Sequence, residues 1–86
     1  MEKWEYLFAF AVPYKMEGKG LVVVEENSKP LAKKGRLGGI SREDCPALYE
    51  YCNNKGQEGW EMVSITEALP TEGIALVVAF KRKIVE

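Results

Sequence analysis

At 86 residues, with 47% hydrophobic and 29% charged side chains, the chain is too apolar for wholesale disorder and is expected to form a single domain, 1–86. Twelve Lys and Arg stand against thirteen Asp and Glu, a net charge of −1, so no general field draws it to nucleic acid or an anionic membrane, and only a local basic patch could serve there. The sequence holds no histidine, which removes imidazole-based acid–base chemistry and the usual base for a cysteine or serine nucleophile.

The first residues, Met1-Glu2-Lys3-Trp4-Glu5, are acidic where a signal peptide is basic, and the apolar stretch from Leu7 to Val12 is too short for a signal core or a membrane span. A cytoplasmic location is the expectation. From Trp4 to Val12 large and aromatic residues alternate, with Trp4, Tyr6, Phe8, Phe10 and Val12 on one side and Leu7, Ala9 and Ala11 on the other. That period of two predicts a first strand. Pro13 limits its pairing, the glycines of Glu17-Gly18-Lys19-Gly20 suit a tight connection, and the β-branched run Leu21 to Glu25 predicts an antiparallel return.

Asn27 to Ile40 contains Pro30, Gly35, Gly38 and Gly39 without periodicity and reads as a mobile loop, so that 13–40 forms an inserted hairpin and basic loop. A helix follows, capped by Ser41 or by Asp44, with Pro46 falling in its first turn in the second case. It runs to about Lys55 with Leu48, Tyr51 and Cys52 at core spacing, and Gly56 ends it in the left-handed conformation. Trp60 to Thr66 is a third strand and Ile74 to Lys83 a fourth. The predicted fold is α+β: a small antiparallel or mixed four-stranded sheet, β-β-α-β-β, with one helix packed on one face.

Three segments are distinctive together: Lys3-Trp4-Glu5-Tyr6, Gly56-Gln57-Glu58-Gly59-Trp60-Glu61-Met62-Val63-Ser64, and Phe80-Lys81-Arg82. With them the chain resembles the small bacterial domain-of-unknown-function family 4177, over roughly Lys3 to Phe10 and Leu48 to Lys83. The resemblance implies a strand-helix-strand-strand unit and no catalytic residues. Pro13 to Ile40 departs from that pattern as an insertion.

One helix covers one sheet face, so the other should be polar in a monomer. Instead it keeps either the bulky set, Trp4, Tyr6, Phe8 and Phe10 with Leu76, Val78 and Phe80, or the smaller set, Leu7, Ala9 and Ala11 with Val63, Ile65, Val77 and Ala79. Such a patch marks an interface. The favoured outcome is a homo-oligomer, a dimer by back-to-back sheet packing, with a protein or small-ligand partner on the open face also possible and coverage by the 27–40 loop as the alternative.

Among individual residues, Lys29, Lys33, Lys34 and Arg36 form a basic loop ahead of the helix, a candidate site for an anion or nucleic-acid backbone, although no Gly-Lys-Ser/Thr ending is present. Cys45, at the predicted helix start, is a candidate reactive thiol, opposed by Glu43 and Asp44 and lacking a histidine base; a small residue in the first turn is the plainer reading. Cys52 reads as a core residue. The two cysteines are seven positions apart, about 10 Å on a helix, so no disulfide joins them, and without histidine they make a poor zinc site. Glu25, Glu26, Glu58, Glu61 and Glu67 read as surface carboxylates. Glu61 and Glu67, on the same alternation of one strand, are roughly 20 Å apart and too distant for acid–base work. Trp4 and Trp60 read as core aromatics. The sequence therefore suggests no catalytic residue, metal site or cofactor, and an interaction module in place of an enzyme.

Overall fold

The computed structural model describes residues 2–14, 18–32, 42–68 and 75–84. In chain order they form β1 (Trp4–Tyr14), β2 (Gly20–Glu26), β3 (Lys29–Pro30), α1 (Leu48–Gln57), β4 (Glu61–Ala68) and β5 (Ala75–Lys83), with a 3-10 turn at Arg42–Asp44 before the helix. All strand pairs are antiparallel, in the order β3-β2-β1-β5-β4. The α+β class is as expected, but the sheet has five strands, not four.

The extra strand falls in the stretch read as loop. Asn27 and Ser28 take φ of 49° and 67°, the doubly left-handed geometry of a two-residue hairpin turn, and Lys29 and Pro30 then pair with Glu26 and Glu25. The familiar Asn-Gly signal is absent because serine holds the second position. Asn27 is also tied to β1: its backbone N–H donates to the Phe8 carbonyl at 2.8 Å, and its Oδ1 accepts from the Phe8 N–H at 2.9 Å. From Lys33 to Ser41 the chain lies outside the described residues.

The helix begins later than either predicted cap. Cys45 to Ala47 run alongside β2, where the Val23 N–H donates to the Pro46 carbonyl at 2.9 Å and Ala47 bridges Val22. With that carbonyl engaged, the first helical acceptor is Ala47, an extended residue whose carbonyl takes the Tyr51 N–H at 3.0 Å without any side-chain cap. Ser41 lies outside the described residues, and Asp44 and Pro46 precede the helix.

The other end is also displaced. Gly56 is helical, and the left-handed residue is Gly59, at φ 92°. The Trp60 N–H donates to the Lys55 carbonyl at 2.9 Å and the Gly59 N–H to the Gly56 carbonyl at 3.1 Å, the paired bonds of a Schellman cap with Gly59 just past its end.

Register decides the two faces. Leu7, Ala9 and Ala11 lie opposite Phe80, Val78 and Leu76, whereas Phe8 and Phe10 lie opposite Ala79 and Val77. Directly opposed residues share a face, so the expected grouping of the bulky β1 residues with Leu76, Val78 and Phe80 is wrong: Phe8 meets Ala79, and Ala9 and Ala11 meet Val78 and Leu76. Leu7, Ala9, Ala11, Val23, Val78 and Phe80 form the buried cluster beneath α1. Tyr51 seals it, packing edge-on to Phe80 at 6.0 Å between ring centres while its hydroxyl donates to Glu26 Oε2 at 2.8 Å. Leu48, Cys52 and Trp60 pack around that cluster.

Gly56 and Gly59 should respond oppositely to alanine. A Cβ on Gly56 meets nothing within 4 Å, so Gly56→Ala should stabilise the fold by about 0.5–1 kcal/mol. Gly59→Ala forces a left-handed φ and should cost about 1–2 kcal/mol. Urea denaturation of the two variants measures both.

Candidate functional site

The residues bearing the resemblance meet at one corner of the molecule. β1 supplies Glu5, β5 supplies Arg82, and the helix cap supplies Glu58, Gly59 and Trp60. Arg82 Nε donates to Glu5 Oε1 at 2.6 Å, its Nη1 donates to the Glu58 carbonyl at 3.1 Å, and its guanidinium lies 4.3 Å from the centre of the Trp60 ring. A Cβ on Gly59 would stand 3.5 Å from Arg82 Cδ, an ordinary contact, so the left-handed φ of the cap and not the space beside Arg82 calls for glycine here. Beside this cluster lies an open groove of about 580 Å³, lined by Glu5, Glu58, Gly59, Arg82, Lys83 and Ile84. Its cations already have partners: Arg82 as above, and Lys83 with Glu2 at 2.8 Å. Chemically the corner is a clasp joining helix, β1 and β5.

The face of the sheet opposite α1 divides in two. Toward Tyr14, Val22, Val24 and Cys45 are buried together, with Phe10, Val12, Tyr14 and Ala32 packed on them. This cover is held by Lys19, whose Nζ donates to the carbonyls of Glu43 at 2.7 Å and Cys45 at 3.2 Å, and by Arg42, whose Nη1 donates to the Pro13 carbonyl at 3.1 Å. Toward Trp4 the face is open: Trp4, Tyr6 and Phe8 are 39%, 57% and 52% exposed. Trp4, expected in the core, instead lies under Lys81, whose Nζ is 4.7 Å from its ring centre. Alongside Trp4, Tyr6 and Phe8 stand Lys83, Lys81 and Ala79 of β5, with Glu61 and Ser64 of β4 beyond the last two.

Cys45 is fully buried and lies before the helix, not in its first turn. Burial pushes its thiol above the ordinary 9.0, with the nearby Lys19 charge opposing the shift and Asp44 adding to it. Cys52, partly buried among core residues, is likewise raised by desolvation. Neither is in a disulfide.

Of the basic loop, Lys29 is exposed on β3, while Lys33, Lys34 and Arg36 lie outside the described residues. Of the carboxylates, Glu26 and Glu58 converge on one lysine. Glu26 is occupied by Tyr51 and by Lys55 at 3.6 Å, and Lys55 also reaches Glu58 at 3.6 Å. Glu61 and Glu67 prove to be on opposite faces of β4, because the register slips between Met62 and Ser64 and leaves Val63 without an opposite residue. Among the described residues no group of three or more Cys, Asp or Glu is placed to hold a metal ion, and no helix is long and apolar enough to cross a membrane.

No family model, curated protein or solved structure matches the chain.

Two consequences are measurable. Replacing Arg82 with Ala removes the Glu5 pair, the bond to Glu58 and the Trp60 contact, and should cost about 1–2 kcal/mol in urea denaturation, with Arg82→Lys recovering little because it cannot form the same fork and stack. The thiols of Cys45 and Cys52 and the Tyr51 phenol, raised by burial and then by Glu26, all hold their protons more tightly when folded. Stability from these groups is thus present below their unfolded values and lost as the pH rises through the folded ones. The urea midpoint should stay level near neutrality and fall above about pH 9, and Cys45 should be alkylated in the native protein far more slowly than in urea.

Proposed function

We propose that the protein is a non-enzymatic cytoplasmic interaction module related to family 4177, which forms a dimer through the open half of its sheet. The observation that carries this reading is the relief of that surface. Trp4, Tyr6 and Phe8 form an aromatic ridge on β1, and beside Phe8 the small side chains of Ala79 and Ser64 form a trough, bordered by Lys81 opposite Tyr6. A two-fold rotation would lay the ridge of each copy in the trough of the other, an isologous contact that is complementary to itself. The clasp at Arg82, which unites the three segments of the resemblance, supports a scaffolding role for those residues.

The magnitudes favour a modest affinity. Six half-exposed aromatics, three from each copy, would remove on the order of 600 Å² from water, about 15 kcal/mol gross. Association costs roughly 4–15 kcal/mol before side-chain ordering. The dimer should therefore populate in the micromolar to high micromolar range.

Sedimentation equilibrium up to about 500 µM, a concentration set by that balance, should give twice the chain mass. Phe8→Asp, at a position 52% exposed, should give a monomer with an unchanged circular dichroism spectrum. A wild-type monomer throughout the range overturns the proposal, as does a dimer unaffected by Phe8→Asp.

A further inference from the structure

The two lateral edges of the sheet are treated differently. At one end β3 is only two residues long and includes Pro30, which has no N–H to offer, while the rest of the β2 edge is engaged by Pro46 and Ala47. Both devices blunt an edge against further pairing. At the other end stands β4, eight residues from Glu61 to Ala68, which pairs only with β5 among the described residues. It has no proline, glycine, lysine or arginine, and it is rich in residues that favour strands. Its outward N–H and C=O groups alternate along an exposed edge, and Met62 and Ile65 present apolar surface beside them, 40% and 51% exposed.

A second copy of β4 fits this edge poorly. Antiparallel partners share a face, but the bulge at Val63 puts Glu61 on the face of Lys81 and Glu67 on the face of Leu76. Full-length self-pairing would set Ser64 opposite Ile65 at its centre, and these two lie on opposite faces of the sheet, so the pleats of the two copies could not match there. Glu61 and Glu67 are both exposed and neither forms an ion pair within the described residues, although Lys81 stands opposite Glu61, so the strand carries a negative charge near each end.

We infer that the β4 edge is a strand-addition site for an extended peptide of another protein, basic at both ends of a six-residue core. The spacing follows from the register of β4, in which Val63 is passed over, and the charges from Glu61 and Glu67. Residues 76, 78, 80 and 81 of β5 oppose Glu67, Ile65, Met62 and Glu61. A partner strand therefore needs Lys or Arg at its first position, apolar residues at the third and fifth, and Lys or Arg at the sixth. The first basic residue and both apolar ones fall on the helix-side face, and the last basic residue on the other. Backbone bonds would supply affinity and these four positions specificity. The edge is distinct from the ridge of Tyr6 and Phe8, so the site does not depend on dimerisation through the sheet face.

The test titrates isotopically labelled protein with an end-capped peptide, lysine-threonine-valine-threonine-isoleucine-lysine, followed by amide chemical shifts. Saturable changes confined to the amides of Glu61–Ala68, with a dissociation constant at or below about 1 mM, are expected. The same peptide with glutamates for its lysines should bind at least about tenfold more weakly, and so should the original peptide to a protein carrying Glu61→Lys and Glu67→Lys. Both substituted positions are exposed, and Phe8→Asp protein should bind the peptide like the wild type. No saturable change by about 5 mM, equal binding of the acidic peptide, or changes centred on Tyr6 and Phe8 overturns the inference.

Discussion

The register of β1 against β5 is the constraint from which the other contacts follow. These are the central pair of the sheet, and their alignment places Leu7 against Phe80 and Ala9 against Val78 on one face, Phe8 against Ala79 on the other. A slip of one residue would turn every side chain of one strand over relative to the other. It would then crowd Phe80 against Phe8 or Tyr6 and leave alanines facing alanines. Small residues set against larger ones, Ala9 and Ala11 on one face and Ala79 on the other, thus specify the register through volume on both faces, while Leu7 against Phe80 joins two large side chains in the core. Burying Phe80 beneath Tyr51 fixes where α1 lies, and the same alignment brings Arg82 to Glu5 and to the carbonyl that ends the helix.

Much of this was legible in local pattern. The four longer strands, the helical spacing of Leu48, Tyr51 and Cys52, and a glycine stop at the helix-to-strand junction all have sequence signals of short range. What could not be read depends on pairing between distant segments. Alternation within β1 separates its two sides, but only the register says which side of β5 joins each, and the bulge at Val63 is invisible without the partner strand. The late helix start has the same origin: the Pro46 carbonyl is engaged by Val23, more than twenty positions earlier in the chain. At Gly56 and Gly59 both glycines were visible, and the choice between them rests on which one lets Trp60 bond back to Lys55.

The candidate sites differ in the same way. Cys45 looked accessible only if the helix began beside it; held against β2 instead, its thiol is buried with Val22 and Val24. Burial of a small polarisable side chain without a base suits packing and opposes thiolate formation. The open aromatic ridge, by contrast, follows directly from the alternation Trp4, Tyr6, Phe8, and the structure adds that Val12 and Phe10 at its far end are covered while the near end is not. Its trough could not be foreseen, since it is made by residues of two strands that the register brings alongside.

A small sheet with one helix has more apolar surface than it can cover alone, and this chain divides that excess unequally. The segment Arg42–Ala47 wraps the β2 edge and one half of the second face, and Lys19 and Arg42 fasten it through backbone carbonyls. Using one segment for both tasks leaves the diagonally opposite quarter, Trp4 to Phe8 on the face and β4 at the edge, without equivalent cover from the described residues. Evenly spread polar substitutions would have solubilised such a surface at little cost to the core, because Tyr6, Phe8 and Ile65 are about half exposed already. Trp4, Tyr6 and Phe8 on the face and Met62, Val63 and Ile65 on β4 are most of the large hydrophobic residues exposed among the described ones, Tyr49 and Ile84 being the others, and a concentration of that kind is the usual mark of an interaction surface.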